Sequence, residues 1–266
     1  MNEDTAMDRL SKTYSKEKNL SHVQAAKGIA IAERFGRAKL LDRELHKDIK
    51  LNREAGFEFA RLEIAVPLIV NEFSIAARDM PIVFSAGDGI PLAVLGIRPE
   101  QNLFVNEEGH WKAGCYIPAH LRRYPFILHE DEVNKRFSLC IDESAEHFKE
   151  DKAYVKGEPL FVEEKPAPFV TEMLGFLGDM QQGLQMTQAY IEALKKENLL
   201  IEQNAQIELK NGEKPRLDGF FIVDESKFNT LSETVVKDWQ TKGWLAFTYF
   251  HLQSQLNWQR LIDMSL

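Results

Sequence analysis

The sequence predicts an α+β protein: antiparallel hairpins or a β meander packed with long amphipathic helices in the C-terminal half. Three observations carry this expectation. Residues 168–200 place Phe169, Met173, Phe176, Leu177, Met180, Leu184, Thr187, Ile191 and Leu194 three and four positions apart, the period of one helix face. Short β-rich runs elsewhere are separated by Gly and Asn turn signals, for which antiparallel pairing is the simplest account. A chain of 266 residues with 44% hydrophobic content can bury a full core, as one large domain or two small ones.

Residues 1–45 are polar and charged and form an N-terminal extension, expected to be partly mobile, with a helix predicted over 21–39 from the stripe Val23, Ala26, Ala30 and Phe35. Residues 46–266 form the α+β domain. Ile49 and Leu51 alternate with Lys50 and Asn52, and Phe57, Phe59 and Ala60 precede Leu62 and Ile64, which predicts two short strands. Pro67 reads as the first turn of a helix through Val70, Phe73, Ile75, Ala76 and Ala77, because proline lacks only a donor that is unpaired there anyway. Residues 80–85, the turn Gly87-Asp88-Gly89 and residues 91–97 read as a hairpin. Leu103-Phe104-Val105 and the turn Asn106-Glu107-Glu108-Gly109 continue the meander toward Trp111 and Tyr116. Phe137, Leu139 and Ile141 alternate with Ser138 and Cys140, the period of a strand with one buried face.

The stretch 142–168 is acidic and broken by Gly157, Pro159, Pro166 and Pro168, and reads as a loop or a linker between two lobes. In the helix that follows, Glu172 near the start and Lys195 and Lys196 near the end complement the helix dipole. Residues 207–209 and 217–223 flank Lys210-Asn211-Gly212-Glu213, whose Asn-Gly pair supplies positive φ angles for a hairpin turn. Asp224 or Ser226 can cap a helix over 227–240, and Gly243 separates it from another over 244–263. That last helix carries Trp244, Leu245, Phe247, Tyr249, Phe250 and Leu252 on most of its sides, so burial is expected.

The net charge of −8 and a pI near 5.5 argue against general attraction to nucleic acid, itself an anion. The charge is uneven: residues 1–56 hold 12 Lys and Arg against 9 Asp and Glu, leaving −11 over the rest. The opening residues contain no apolar core of the length a secretory signal needs, so a cytoplasmic location is expected, with surface association by a dedicated export route left open. The most apolar tracts, 64–70 and 90–97, fall short of the roughly 18–20 residues of a membrane anchor. Two cysteines, Cys115 and Cys140, are too few for a disulfide scaffold and are expected as reduced thiols.

Four runs carry a resemblance: Met80-Pro81-Ile82-Val83-Phe84, Tyr116-Ile-Pro-Ala-His-Leu-Arg-Arg-Tyr-Pro-Phe126, Leu217-Asp-Gly-Phe-Phe-Ile-Val-Asp224 and Asn257-Trp258-Gln259-Arg260. They resemble the markers of the bacterial SapC family, from about His46 to the C-terminus, and Pro-X-X-X-Arg-Arg-Tyr-Pro-Phe is the most specific of them. The resemblance implies a surface-layer-related protein and an accessory role in a peptide or metabolite pathway. It implies no catalytic residue set.

Arg122 and Arg123, set between Pro118 and Pro125, flanked by Tyr116 and Tyr124 and preceded by Trp111, form the candidate ligand site, because a guanidinium binds a carboxylate or phosphate bidentately. The same arginines also read as structural ion pairs, since in a strand they would face opposite sides. His110, Cys115, His120, His129 and Cys140 are metal-ligand types, but their spacing matches no compact signature, and no metal is assigned. Asp218, Asp224 and Glu225 read as an acid–base group or as turn and cap residues. Asn257, Trp258 and Arg260, with His251, read as a pocket lining or as packing. The sequence has no phosphate-cradling glycine loop, nucleophile elbow or His-Glu-X-X-His, so catalytic residues and cofactors stay unassigned. The expected function is a non-catalytic accessory protein binding a peptide, a protein or a small anionic metabolite. The alternatives are an enzyme of a peptide- or metabolite-modifying pathway and a surface-layer-related or export component.

Overall fold

A computed structural model describes residues 38–131, 136–148, 157–206 and 216–265. The helix expected over 21–39 lies outside them but for its last two residues, which belong instead to a strand, β1 (Ala38–Leu40). A one-turn helix, α1 (Arg43–His46), is capped by Asp42, whose carboxylate accepts from Leu45 N at 2.9 Å. Of the two strands expected next, only β2 (Lys50–Leu51) forms. Residues 57–64 instead hold a 3₁₀ turn at Glu58–Ala60, because Phe57 N is taken by Gly109 O at 2.6 Å and Ala60 N turns back to Phe57 O.

Pro67 is also corrected. It ends an edge strand, β3 (Ala65–Pro67), opposite Leu92, where the missing N–H is tolerated at a sheet rim. Helical structure starts only with a 3₁₀ turn at Val70–Glu72 and the short α2 (Phe73–Ala76). The predicted hairpin follows as β4 (Ile82–Ser85) and β5 (Pro91–Val94), turned by Gly87 and Gly89 at φ 78° and 76°. The meander expected beyond it shrinks to one bridge, Val105 opposite Trp111. The run 116–126 is not a strand: it contains α3 (Ala119–Arg122), so the opposite-faces argument for Arg122 and Arg123 does not apply. After a cis Tyr124–Pro125 bond come β6 (Phe126–Asp131) and β7 (Arg136–Asp142), the latter burying Leu139 and Ile141 as its alternation predicts but leaving Phe137, the first residue of the same expected face, 51% exposed.

The acidic stretch is more than a loop. Its described residues form a 3₁₀ turn at Glu146–Phe148 and short strands β8 (Glu158–Pro159), β9 (Phe161–Val162) and β10 (Lys165–Pro166), with Leu160 wholly buried. The long helix, α4 (Pro168–Lys196), starts on Pro168 as its sequence predicts. The next hairpin forms from β11 (Leu200–Gln206) and β12 (Arg216–Val223). Its first strand begins earlier than expected, and its turn lies outside the described residues. Gly219, at φ 72°, sits where the register between these strands shifts, a conformation a β-bulge demands of glycine. Each helix expected after it is split: α5 (Glu225–Phe228), capped by Asp224, and α6 (Glu233–Lys242), capped by Ser232, then α7 (Trp244–Ser254) and α8 (Asn257–Met264).

The larger sheet is antiparallel, in the order β11-β12-β4-β5-β3, and a smaller one runs β1-β7-β6. The main core packs Phe73, Phe84, Leu92 and Phe104 with Tyr190 and Leu194 of α4, Trp239 of α6 and Leu261 of α8. A second core joins Phe126, Leu139 and Ile141 to Leu51, Leu160 and the first turns of α4 through Phe169, Val170 and Leu177. α4 therefore contributes to both.

α7 is buried only in part: Trp244, Leu245, Phe247, Phe250 and Leu252 are half-buried against the main core, short of the full burial expected. Its buried residues are the polar Thr248, His251 and Ser254, whereas Tyr249 is 57% exposed. The reason lies in the sheet: β12 and β4 pair over only Phe220↔Ser85 and Phe221↔Phe84. Beyond that, Val223 N donates to His251 Nε2 at 3.0 Å, Ile82 N donates to Ser254 Oγ at 2.9 Å, and Gln255 Nε2 donates to Ile82 O at 2.7 Å. Side chains of α7 and the residue after it thus take the place of a strand partner.

The glycines of α4 make a local test. A Cβ at Gly183 would lie 2.5 Å from Ile69 Cδ1 and 3.1 Å from Asn71 Oδ1, where the helix crosses the 3₁₀ turn, whereas one at Gly175 meets nothing within 4 Å. Gly175→Ala should raise stability by about 0.5–1 kcal/mol through helix propensity. Gly183→Ala should lower it by about 1 kcal/mol, because crowding of buried Ile69 outweighs the same gain. Urea denaturation of the two variants reads the opposite signs.

Candidate functional site

The site grows from Glu72 at the end of the 3₁₀ turn. Its side chain is 4% exposed and accepts three hydrogen bonds: Oε2 from Ile69 N at 3.0 Å, and Oε1 from Ala119 N at 2.6 Å and Tyr116 OH at 2.8 Å. Burial pushes the Glu72 carboxyl up from its ordinary pKa, opposed by these donors and by the charge of Arg122. The Tyr116 phenol is also pushed up, by burial and then by the neighbouring Glu72 carboxylate, so it stays a neutral donor. Glu72 thereby ties the 69–72 turn to the start of α3.

Arg122, at the end of α3, closes the group. Its Nη2 donates to Tyr116 OH at 3.1 Å and its Nε to Ile117 O at 3.0 Å, while the guanidinium lies over the rings of Phe176 at 4.9 Å and Tyr116 at 5.6 Å. The residue is exposed, and among the described residues its Nη1 has no protein acceptor. A guanidinium fixed this way presents a pre-oriented edge to an incoming oxyanion.

A second layer holds Tyr116 by its backbone. Tyr116 N donates to Asp79 Oδ2 at 2.7 Å, and Trp111 Nε1 donates to Tyr116 O at 3.2 Å. Asp79 is buried and pairs with Arg260 Nη1 at 2.9 Å, whose Nη2 reaches Cys115 Sγ at 3.2 Å. Asn257 Nδ2 donates to Ala77 O at 2.7 Å, so α8 clamps the turn that carries Asp79.

The structure thus brings Trp111, Tyr116 and Arg122 together by hydrogen bonds. Tyr124 belongs to a different polar group, its hydroxyl donating to Asp142 Oδ2 at 3.0 Å. A chain of rings joins it to Trp111: Tyr124 meets Phe59 at 4.2 Å, Phe59 meets Phe57 at 5.9 Å, and Phe57 meets Trp111 at 5.6 Å. Arg123 follows α3 and is half-buried, its backbone bonded to Ala119 O and Phe126 N. Sequence reasoning missed Glu72 and Asp79. Glu72 reaches back three residues to a backbone N–H, as the acid of a capping box does, but Ile69 stands where Ser, Thr, Asp or Asn would have marked the pattern.

Asp224 caps α5, and His251 is wholly buried, its Nε2 an acceptor. Cys115 and Cys140 are free thiols. Among the described residues no group of three His, Cys, Asp or Glu is placed to hold a metal ion, and no helix is long and apolar enough to cross a membrane.

No curated protein and no solved structure matches the chain. The family comparison agrees with the four runs that carry the resemblance, since the sequence model described as SapC matches residues 41–261; the chain belongs to the SapC family.

Proposed function

We propose that this protein is a non-catalytic accessory protein that binds an anionic group, the carboxylate of a peptide or protein or a small anionic metabolite, at Arg122. One observation carries the reading: an exposed guanidinium held by Tyr116 OH, Ile117 O and two aromatic faces, with Nη1 unclaimed by any described protein acceptor. Holding the fork in place before the ligand arrives reduces the ordering cost of binding. Trp111 and Tyr116 support the fork, and Arg123 and Tyr124 border it in sequence. The charged groups nearest to it serve as supports: Glu72 accepts three protein donors, and Asp79 is paired with Arg260. The same proposal puts the protein in the cytoplasm, where its two free thiols would stay reduced.

Calorimetric titration with a short peptide bearing a free C-terminal carboxylate, and separately with inorganic phosphate, tests the site. Arg122→Ala should weaken binding at least tenfold, about 1.5–3 kcal/mol for a charge-assisted pair. Arg122→Lys should recover only part of it, because an ammonium lacks the planar fork. If Arg122→Ala and Arg123→Ala together leave the affinity unchanged, the reading fails.

A further inference from the structure

By register, Phe126 and Leu128 of β6 and Leu139 and Ile141 of β7 share the face of the smaller sheet that forms the second core. The opposite face holds Leu40, Cys140 and Ile127 in one row across the three strands, with Ser138 and His129 in the next. Leu40 is 55% exposed and the other four are half-buried, yet none of the five joins a core cluster among the described residues. Burial also raises the pKa of the Cys140 thiol. The solvated side of an antiparallel sheet is ordinarily polar, and this one carries Leu, Cys and Ile across its middle.

The chain itself supplies an occupant. β1 lies just before the family match, which starts at residue 41, and pairs with β7 through Ala38↔Asp142, Lys39↔Ile141 and Leu40↔Cys140. The last residues of the N-terminal extension are therefore part of this sheet, and the 37 residues before Ala38 join it at its edge. They carry the stripe Val23, Ala26, Ala30 and Phe35, and Gly36 allows the chain to turn between that stripe and β1. A helix over 21–35 would span about 22 Å, close to the roughly 23 Å of the seven-residue β7. Charge agrees with this placement. Residues 9–37 hold seven Lys and Arg against two Asp and Glu, β7 runs on into the acidic stretch with Glu143 and Glu146, and Lys39 pairs with Glu143 at 2.6 Å. A tethered segment also meets the face at an effective concentration in the roughly millimolar range, which favours it over a separate molecule.

We infer that residues 21–37 dock across the outer face of the β1-β7-β6 sheet, laying their apolar stripe over Leu40, Cys140 and Ile127. The test uses the full chain with Cys115→Ser, which leaves Cys140 as its single thiol. Ala30→Glu together with Phe35→Glu should raise the rate at which Cys140 reacts with dithiobis(nitrobenzoate) about tenfold or more. Trp111, Trp239, Trp244 and Trp258 all sit in or against the main core, so unchanged tryptophan fluorescence separates undocking from unfolding. A photoreactive benzophenone in place of His129, on the strand farthest from β1, should crosslink to residues 21–35 of the same chain. Crosslinking needs no change in the segment, so it decides the question even where the two glutamates disturb the fold. A Cys140 rate that stays the same overturns the inference, as does a crosslink that misses this segment. A crosslink between two chains also overturns it, and assigns the face to a second copy instead.

Discussion

Glu72→Ala is expected to destabilise the protein by about 2–4 kcal/mol, the largest effect of any single substitution in the site. The variant leaves Ile69 N, Ala119 N and Tyr116 OH without their acceptor in a place that is 4% exposed. Two effects compete here. Burial penalises the ionised carboxylate, so removing it relieves some cost, but three orphaned donors lose more than that relief. Glu72→Gln separates the two: it can keep an oxygen for Tyr116 and Ala119 but turns an amide N–H toward Ile69 N, and about half of the loss should remain. Guanidinium denaturation measures both. A loss under about 1 kcal/mol for the alanine variant would mean that water replaces the carboxylate and that Glu72 does not organise the site.

The second large effect is loss of stability in mild acid. His251 is wholly buried and His147 mostly so; burial lowers their pKa values from the ordinary 6.5 to about 3 and about 4. Both are neutral in the folded protein, while the unfolded chain takes up protons below its ordinary histidine pKa. Their stabilisation is therefore complete above pH 6.5 and falls as pH drops toward the folded values. Between pH 6.5 and 4.5 each should withdraw about 2 kcal/mol. Glu72 works with the opposite sign, since its raised pKa makes the fold more stable as it protonates. The test is thus a difference of slopes: His251→Gln keeps a neutral acceptor for Val223 N, and its stability should decline by about 2 kcal/mol less than the wild type over that interval. Equal slopes would show that His251 is protonated in the fold.

Much of this architecture is legible in single stretches of chain. The three-and-four spacing of 168–200, Pro168 at its start, the turn Gly87-Asp88-Gly89 and the alternation around Leu139 each predict an element that forms. These are local signals, set by the period of one helix or strand and by the φ angles of a few residues. The candidate site was half legible for the same reason: Tyr116, Arg122 and Trp111 stand out by type and crowding in sequence, and they do meet. Glu72 and Asp79 do not stand out, and Arg260 does so only together with Asn257 and Trp258. Their roles depend on contacts as far apart as Asp79 and Arg260, and nothing near Glu72 in sequence says which backbone donors will face it.

The failures share a cause. Pro67 satisfies the start of a helix and the rim of a sheet equally well, and only the pairing with Leu92 decides between them. Residues 57–64 alternate like a strand, but Gly109 O claims Phe57 N. α7 has the composition of a buried helix, yet the gap between β12 and β4 draws the polar Thr248, His251 and Ser254 into its fully buried positions and leaves its large apolar residues half-buried or, as with Tyr249, exposed. By itself the sequence determined the α+β class, the long helix and most of the turns, because those follow from short-range periodicity. The tertiary structure alone decided which residues of α7 are exposed, which acids lie beside Arg122 and its support, and which of the five predicted ligand residues come together, because each of those rests on backbone donors and acceptors supplied by distant segments.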